Sequence, residues 1–401
     1  RTKDKTATVD KLTKRKIIVQ PPVPFDLTTL QTEAYKIFKI TPKETSQIAQ
    51  MLYTAGLISY PRTSSQKLPS SIGYKKILTK LSKQKDISTI CKELLNKKEL
   101  KPVEGKKKDP AHPAIYPTGD IAKLSGRNLK LYLLIVRRFL AVFGESAEKE
   151  STAVLINLNK EIFSFSGSRI LKEGWYKYYK YISAKEILLP EIIKGDKVKK
   201  LNIKDEEKET QPPKRYNQAS IIKEMEALSL GTKATRALIV DALSKRKYID
   251  GIQVKATPLG IKLVHTLEKY SPEILDEKLT KSFEKDMQKI REGKKKENTV
   301  INNAKKVLTK ILKKFKENEK KIGKALLKAT EGENIFGSCP KCKKGTLSVR
   351  RGRFGMFVAC DRYERGCKTT ASLPKGALTK ATEKKCEKCK FPIIQIIRKG
   401  R

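Results

Sequence analysis

Along the first 60 residues the apolar positions change period twice. Residues 1–20 end in an apolar run at Ile17, Ile18 and Val19 and meet Pro21, Pro22 and Pro24, which predicts a strand and then a stiff passage out of it. Leu27, Leu30, Ala34 and Ile37 recur at helical spacing behind Asp26, whose short carboxylate suits a helix N-cap. A second helix is predicted behind Thr41, with Pro42 at its first position and Glu44 completing a capping box. It carries Ile48, Met51, Leu52 and Ala55 on one face and stops at Gly56. The next segment, GLISYPRTSS, reads as a strand, so this stretch has the pattern of a helix-turn-helix unit with a strand behind it.

Beyond a lysine-rich loop, Pro110, Pro113 and Pro117 exclude a regular helix around AHPAIYPTG and favour a fixed, extended loop. A helix over residues 128–143 follows, with Leu133, Val136, Leu140 and Phe143 on its face and Gly144 as its stop. From Ser151 the period shortens to two at Val154, Ile156 and Leu158. Residues 162–165, the aromatic run 175–181 and KVKKLNI extend a β-rich region that closes at the charged linker DEEKETQPPK. Residues 216–270 repeat the helix-turn-helix pattern, with QASIIKEMEALSL, the tight GTKAT, RALIVDALSKR, and YIDGIQVKATPLG as a β-wing. Winged helices bind DNA or serve as plain scaffolding. Residues 274–330 are a lysine-rich helical stretch.

Charge sharpens this picture. With 89 Lys and Arg against 43 Asp and Glu in 401 residues, the net charge of +46 calls for a polyanion. Nucleic acid is the first candidate, because basic side chains release the counterions condensed on phosphates. A lysine-rich surface from an extreme habitat, or a basic ribosome-associated protein, is the plainer alternative. No apolar run approaches the roughly 18 residues of a membrane span, and the N-terminus lacks the apolar centre of a signal peptide, so the expected location is the cytoplasm, at the nucleoid. A chain beginning at Arg1 rather than Met suggests a fragment or a processed product.

Six of the seven cysteines lie beyond residue 338, in an arrangement that reads as metal ligation. Cys339, Cys342, Cys360 and Cys367 have the spacing of a structural four-cysteine zinc ribbon, with no histidine and no open ligand position. Between the pairs, Arg350, Arg351 and Arg353 interleave with Phe354 and Phe357. Guanidinium groups hold phosphates while rings stack bases at roughly 1–3 kcal/mol each, so single-stranded nucleic acid is a fitting ligand; alternatively the rings fill the ribbon's own small core. Cys386 and Cys389 begin a second cluster that four ligands cannot close within the remaining residues, which points to an incomplete zinc site cut by truncation or to a degenerate pair. Cys91, alone, reads as a small buried hydrophobe.

The most specific chemistry lies in GLISYPRTSS. On an extended segment Tyr60 and Arg62 would point to the same side, roughly 6.6 Å apart, a separation that suits one phosphodiester. A tyrosine hydroxyl with a pKa near 10 is ionised in only about one molecule per thousand at neutral pH, so its use as a nucleophile needs a cation beside it. Arginine supplies that charge permanently and in bidentate form. By itself Tyr-Pro-Arg is a weak signal, because tyrosines near strands usually pack. His112, on its proline-stiffened loop, is either solvated or placed to bind a phosphate and move protons.

GLISYPRTSS, AHPAIYPTG, QASIIKEMEALSLGTKATRALIVDAL and the CPKC ribbon stand in the same order as in the type IA DNA topoisomerases, and the chain resembles their archaeal topoisomerase I branch over nearly its whole length. The resemblance implies an α+β multidomain protein with a toroidal core and a C-terminal zinc ribbon. In that reading residues 1–20 end the arch, 21–148 form a helical gate domain, 149–210 a β-rich arch, 211–330 a winged-helix base, 335–376 the ribbon and 384–401 an incomplete second one. It also implies that Tyr60 is the nucleophile of a 5′-phosphotyrosyl intermediate, that Arg62 stabilises the phosphate, and that His112 positions DNA for cleavage and religation. Thr232, Lys233, Thr235 and Arg236 match a DNA-facing turn of the family.

One departure stands out. The family's Toprim domain, with its magnesium-binding carboxylates, has no counterpart before Tyr60, so the chain is expected to be inactive until a Toprim-bearing segment or subunit joins it. No P-loop is present to support ATP use. The expected activity is ATP-independent relaxation of negatively supercoiled DNA. The topoisomerase half of a reverse gyrase, and a non-catalytic basic DNA-binding protein, are the rival readings.

Overall fold

The extended N-terminal segment becomes β1 (Ala7–Val19), which pairs antiparallel with β2 (Ala147–Leu158), far along the chain. Strands β3 (Glu161–Lys172) and β4 (Lys197–Val198) complete a sheet of order β3-β2-β1-β4. Pairing of β1 with β2 makes the intervening residues a helical excursion rooted on one sheet. The computed structural model describes residues 6–120, 122–182, 186–333, 335–352, 355–374 and 378–397. Two units emerge, Arg1–Ala242 with Ile252–Val254, and Leu243–Gly251 with Lys255–Arg401.

In the first unit, α1 (Leu27–Phe38) opens at Asp26, whose Oδ1 accepts from the Thr29 amide at 2.7 Å while Thr29 Oγ1 accepts from the Asp26 amide at 3.0 Å. Helix α2 (Pro42–Thr54) is capped by Thr41 Oγ1, which accepts from the Glu44 amide at 3.2 Å. The expected capping box is incomplete, because the Glu44 carboxylate turns instead to Arg127 Nη1 at 2.6 and 2.7 Å, a charge-assisted pair that outcompetes a neutral amide. The buried face of α2 runs through Thr45, Ile48, Ala49 and Leu52, leaving Met51 and Ala55 exposed.

Short helices α3 (Tyr74–Leu81) and α4 (Ser88–Leu95) precede α5 (Gly126–Ala141), whose Leu131, Leu134, Ile135, Phe139 and Leu140 lie at the centre of the helical core. Cys91 is buried there, and burial pushes its thiol up to about 11. The aromatic run departs from expectation. Residues Gly174–Lys177 form a 3-10 turn, and Trp175, Tyr178 and Tyr179 enter the helical core rather than a sheet. Their spacing is that of one helix face, and Trp175 Nε1 donates to the Val19 carbonyl at 3.0 Å. Of KVKKLNI only two residues pair, as β4.

Helix α6 (Gln218–Ala227) is capped by Asn217 and lies against α1. Gly231, at φ +66°, makes the turn toward α7 (Arg236–Lys245). In the second unit β5 (Ile249–Asp250) and β6 (Lys255–Ala256) form a minimal wing, and α8 (Pro258–Tyr270) starts at the Thr257 cap. Helix α9 (Glu277–Arg291) precedes α10 (Glu297–Glu333), which packs along α8. Strands β7 (Ile335–Ser338), β8 (Thr346–Gly352), β9 (Gly355–Cys360) and β10 (Thr370–Ser372) form a sheet of order β10-β9-β8-β7, followed by the hairpin of β11 (Leu378–Lys385) and β12 (Pro392–Ile397). Among the described residues no helix is long and apolar enough to cross a membrane.

Candidate functional site

The GLISYPRTSS segment is not the regular strand its sequence predicts: it bends at Leu57, Ser59 and Pro61, and Ile58 makes its one bridge, to Pro117. Proline explains the sparse ladder, since each one removes an amide donor. The segment is nevertheless well anchored. The Ser59 amide donates to the Tyr116 carbonyl at 2.9 Å, and Ser59 Oγ accepts from the Tyr116 amide at 3.0 Å and donates to the Ala114 carbonyl at 3.2 Å. Thr63 Oγ1 donates to the His112 carbonyl at 3.3 Å. Two loops far apart in sequence thereby become one platform.

Tyr60 stands on this platform, half-buried, with its ring centroid 4.6 Å from that of His112 and 5.3 Å from Tyr53, whose ring meets it edge-on. Pro61 is buried, whereas Arg62 is exposed on the wall of a groove with Lys43, Ser46, Gln47, Gln50 and Leu238. Tyr60 is therefore oriented by aromatic neighbours and stays partly accessible, while Arg62 faces a groove whose lining does not include Tyr60.

Lys233 ends on Asp109, a carboxylate only 2 % exposed. Asp109 Oδ2 also accepts from the Ser64 amide at 3.1 Å and Ser64 Oγ at 2.9 Å, while Oδ1 accepts from the Ala111 amide at 3.1 Å. Burial works to raise the Asp109 pKa, but the hydrogen bond from Lys233 and those from Ser64 and Ala111 outweigh it and hold the carboxyl well below the usual carboxylate range. In the same turn Thr235 Oγ1 accepts from the Thr232 amide at 2.9 Å and lies 3.1 Å from Thr232 Oγ1, and Arg236 Nε donates to the Leu230 carbonyl at 3.2 Å. Asp109, Ser64 and Tyr53 were not singled out from the sequence. Only the Asp-Pro dipeptide ahead of AHPAIYPTG marks Asp109, and such a pair usually denotes nothing more than a turn.

The four ribbon cysteines converge, with all four sulfurs within 4.8 Å of one another. Cys339 and Cys367 sulfurs lie 3.7 Å apart, as do those of Cys342 and Cys360. Tetrahedral zinc with sulfur at about 2.3 Å requires edges of about 3.8 Å, so the site fits zinc. The Gly345 amide donates to Cys342 Sγ at 3.2 Å, a tie that orients the ligand. Arg350, exposed, is the cross-strand partner of half-buried Phe357. Arg353 and Phe354 lie outside the described residues, as does the side chain of Arg351. Cys386 and Cys389 sit in the β11–β12 turn, where Lys390 (φ 57°) repeats the backbone of Lys343 (φ 56°) at the first knuckle. Among the described residues three or more potential ligands gather only at the four ribbon cysteines, and no carboxylate cluster forms that could hold magnesium.

A family model described as "DNA topoisomerase" matches residues 1–302, and one described as "Topoisomerase DNA binding C4 zinc finger" matches residues 337–376. DNA topoisomerase 1 of Methanocaldococcus jannaschii is 47% identical over 98% of this chain and 52% of its own length. The Pyrococcus horikoshii enzyme of that name is 47% identical over 94% of this chain and 56% of its own length, and that of Methanothermobacter thermautotrophicus 45% identical over 95% and 52%. The chain thus spans about half the length of the curated relatives it matches. In fold it is similar to full-length topoisomerase I from Thermotoga maritima, with a TM-score of 0.64 at 23% identity, over 95% of this chain and 62% of that one.

Proposed function

The chain belongs to the type IA DNA topoisomerases, in their archaeal topoisomerase I branch, and from that membership we propose that it carries the strand-cleaving half of the enzyme, with Tyr60 as nucleophile. The observation that carries the reading is the half-buried Tyr60, its ring tilted 48° against that of His112 at 4.6 Å on the platform shared by the two loops. Attack of Tyr60 Oη on a DNA phosphorus forms an Oη–P ester as the P–O3′ bond breaks. The 5′-phosphate stays on the protein and the 3′-oxygen leaves as a hydroxyl. One phosphodiester replaces another, so religation needs no ATP.

In this proposal Arg62 neutralises the charge that gathers on the phosphate oxygens, and His112 holds the tyrosine ring and the phosphate in register. Relaxation of negatively supercoiled DNA follows if a second strand passes before resealing. Residues 21–148 act as the gate, 149–210 with 1–20 as the arch, and 211–330 as the DNA-facing base, with Thr232, Thr235 and Arg236 toward the strand. Arg350, Arg351, Arg353 and Phe354 of the ribbon bind single strands. Zinc holds the ribbon together, and its folding there would be metal-dependent. Magnesium belongs to a Toprim-bearing segment in cis or in trans. Cys386 and Cys389 are half of a second zinc site.

The test is direct. The chain, a Toprim fragment, magnesium and a labelled single-stranded oligonucleotide are mixed, and the covalent adduct is resolved under denaturing conditions. Adduct formation that vanishes in Tyr60→Phe is expected. No adduct at all, or one that survives the substitution, rejects the assignment.

A further inference from the structure

Asp109 is a buried carboxylate between the Tyr60 segment and the His112 loop, and its hydrogen-bond partners are neither Arg62 nor His112. Its two oxygens accept from four donors on three segments. Ser64, two residues beyond Arg62, gives its amide and its hydroxyl; Ala111, immediately before His112, gives its amide; Lys233 gives its ammonium from the turn before α7. We propose that Asp109 is a positioning residue for strand cleavage, the joint through which the Arg62 segment, the His112 loop and the turn at Lys233 hold one geometry. This inference rests on the reading of Tyr60 as the nucleophile.

The chemistry requires a carboxylate there. Only an ionised acid offers acceptors on both oxygens and no donor of its own. Asparagine has the same shape, but one arm of its amide is a donor. Turned one way, that arm faces the Ala111 amide; turned the other, it faces the Ser64 amide and the Lys233 ammonium. Either orientation pushes one segment away while the fold around it survives. Displacements of about 1 Å at a reacting centre can slow a reaction by about a hundredfold, so the cleavage step is where the loss shows.

A further consequence concerns Lys233. Its ammonium is directed at Asp109 and acts as a strut for the turn rather than as a phosphate ligand. Removing a lysine that binds phosphate lowers the slope of log affinity against log salt by about one, whereas removing a strut leaves that slope unchanged.

The experiment uses the chain with the Toprim fragment, magnesium and a single-stranded oligonucleotide in single-turnover mode. Asp109→Asn is expected to lower the rate constant of adduct formation about 10- to 100-fold, with the final adduct yield and the oligonucleotide affinity within about twofold of the unaltered assembly. An unchanged rate constant, or a lower yield at an unchanged rate constant, overturns the proposal, because a purely structural role reduces the active fraction only. Should Asp109→Asn fail to fold, Lys233→Met decides. A threefold or greater fall in the rate constant (of order 3–10, smaller than for the carboxylate) at an unchanged salt slope supports the joint, and an unchanged rate constant or a slope lower by about one refutes it. An unaltered assembly that forms no adduct sinks the nucleophile reading itself. Adduct from the unaltered assembly beside a variant of equal rate sinks only the role of Asp109.

Discussion

At the scale of single residues, the proposed chemistry turns on charge beside a hydroxyl that is a poor nucleophile while protonated. Arg62 is exposed on its groove wall, so little packing is lost when it is shortened, and the effect of substitution should fall on the reaction. Arg62→Ala is expected to slow adduct formation by about 100- to 1,000-fold with a melting temperature close to that of the parent, and Arg62→Lys to recover only part of it, because a lysine cannot bind two phosphate oxygens in a fork. Asp109 behaves differently. Asp109→Ala strands Lys233 and the partly buried amides of Ser64 and Ala111, and should cost about 1–3 kcal/mol at neutral pH in a denaturant titration. Because the folded-state pKa of Asp109 lies below its ordinary value of 3.8, its contribution is present in full above that value and is lost as pH falls toward the folded-state pKa. The difference between parent and variant should therefore be level from pH 7 down to about pH 4 and narrow below it; a difference that is already narrowing near pH 6 would contradict the assignment.

Among the elements, helix starts are written locally and helix ends are not. Asp26 and Thr41 cap α1 and α2 through side chains a few bonds away, which is why the sequence locates both. Gly144 shows the opposite. It lies beyond the end of α5, as a helix-stopping glycine would, yet its φ is not positive, and the reason for glycine is Trp175: an added Cβ would sit 2.6 Å from Trp175 Cβ and 2.9 Å from its Cα. Gly144→Ala should thus destabilise the first unit by about 1–3 kcal/mol, measured by thermal or chemical unfolding, whereas a cap glycine outside the left-handed region would tolerate alanine. Glu44 was legible as a helix-start residue but not as the partner of Arg127, since no local pattern shows which distant cation a carboxylate meets.

Across the whole molecule two sources of stability are separable. The helical core of the first unit is built from many aliphatic and aromatic side chains, whereas among the described residues the ribbon buries Phe336, Leu347, Val358 and Ala359 around the cysteines, with Val349 and Leu373 partly buried against them. So small a core leaves folding to the metal, which in such modules contributes on the order of 10–16 kcal/mol. A strong chelator is expected to abolish ribbon structure, seen as loss of dispersed ribbon amide signals in NMR spectra, while signals of the first-unit core persist. Persistence of the ribbon signals after zinc is removed would show that its core suffices alone. The net charge of +46 is spread over the chain rather than lodged in one motif, which suits the DNA binding proposed for it.

Local pattern was enough for the order of the helical, β-rich, helix-turn-helix and ribbon segments and for the zinc ligands, because each is carried by short-range periodicity, cap chemistry or fixed spacing, whereas the family and the nucleophile to be tested came from the resemblance of four motifs in a fixed order. It took the folded chain to reveal that the 175–181 aromatics join the helical core, that Tyr60 stands on an irregular platform with its ring tilted against His112, and that Asp109 gathers Ser64, Ala111 and Lys233. Those outcomes depend on which segments meet when the apolar faces are buried. Burial fixes meetings between residues far apart in the chain, and a one-dimensional pattern carries no record of them.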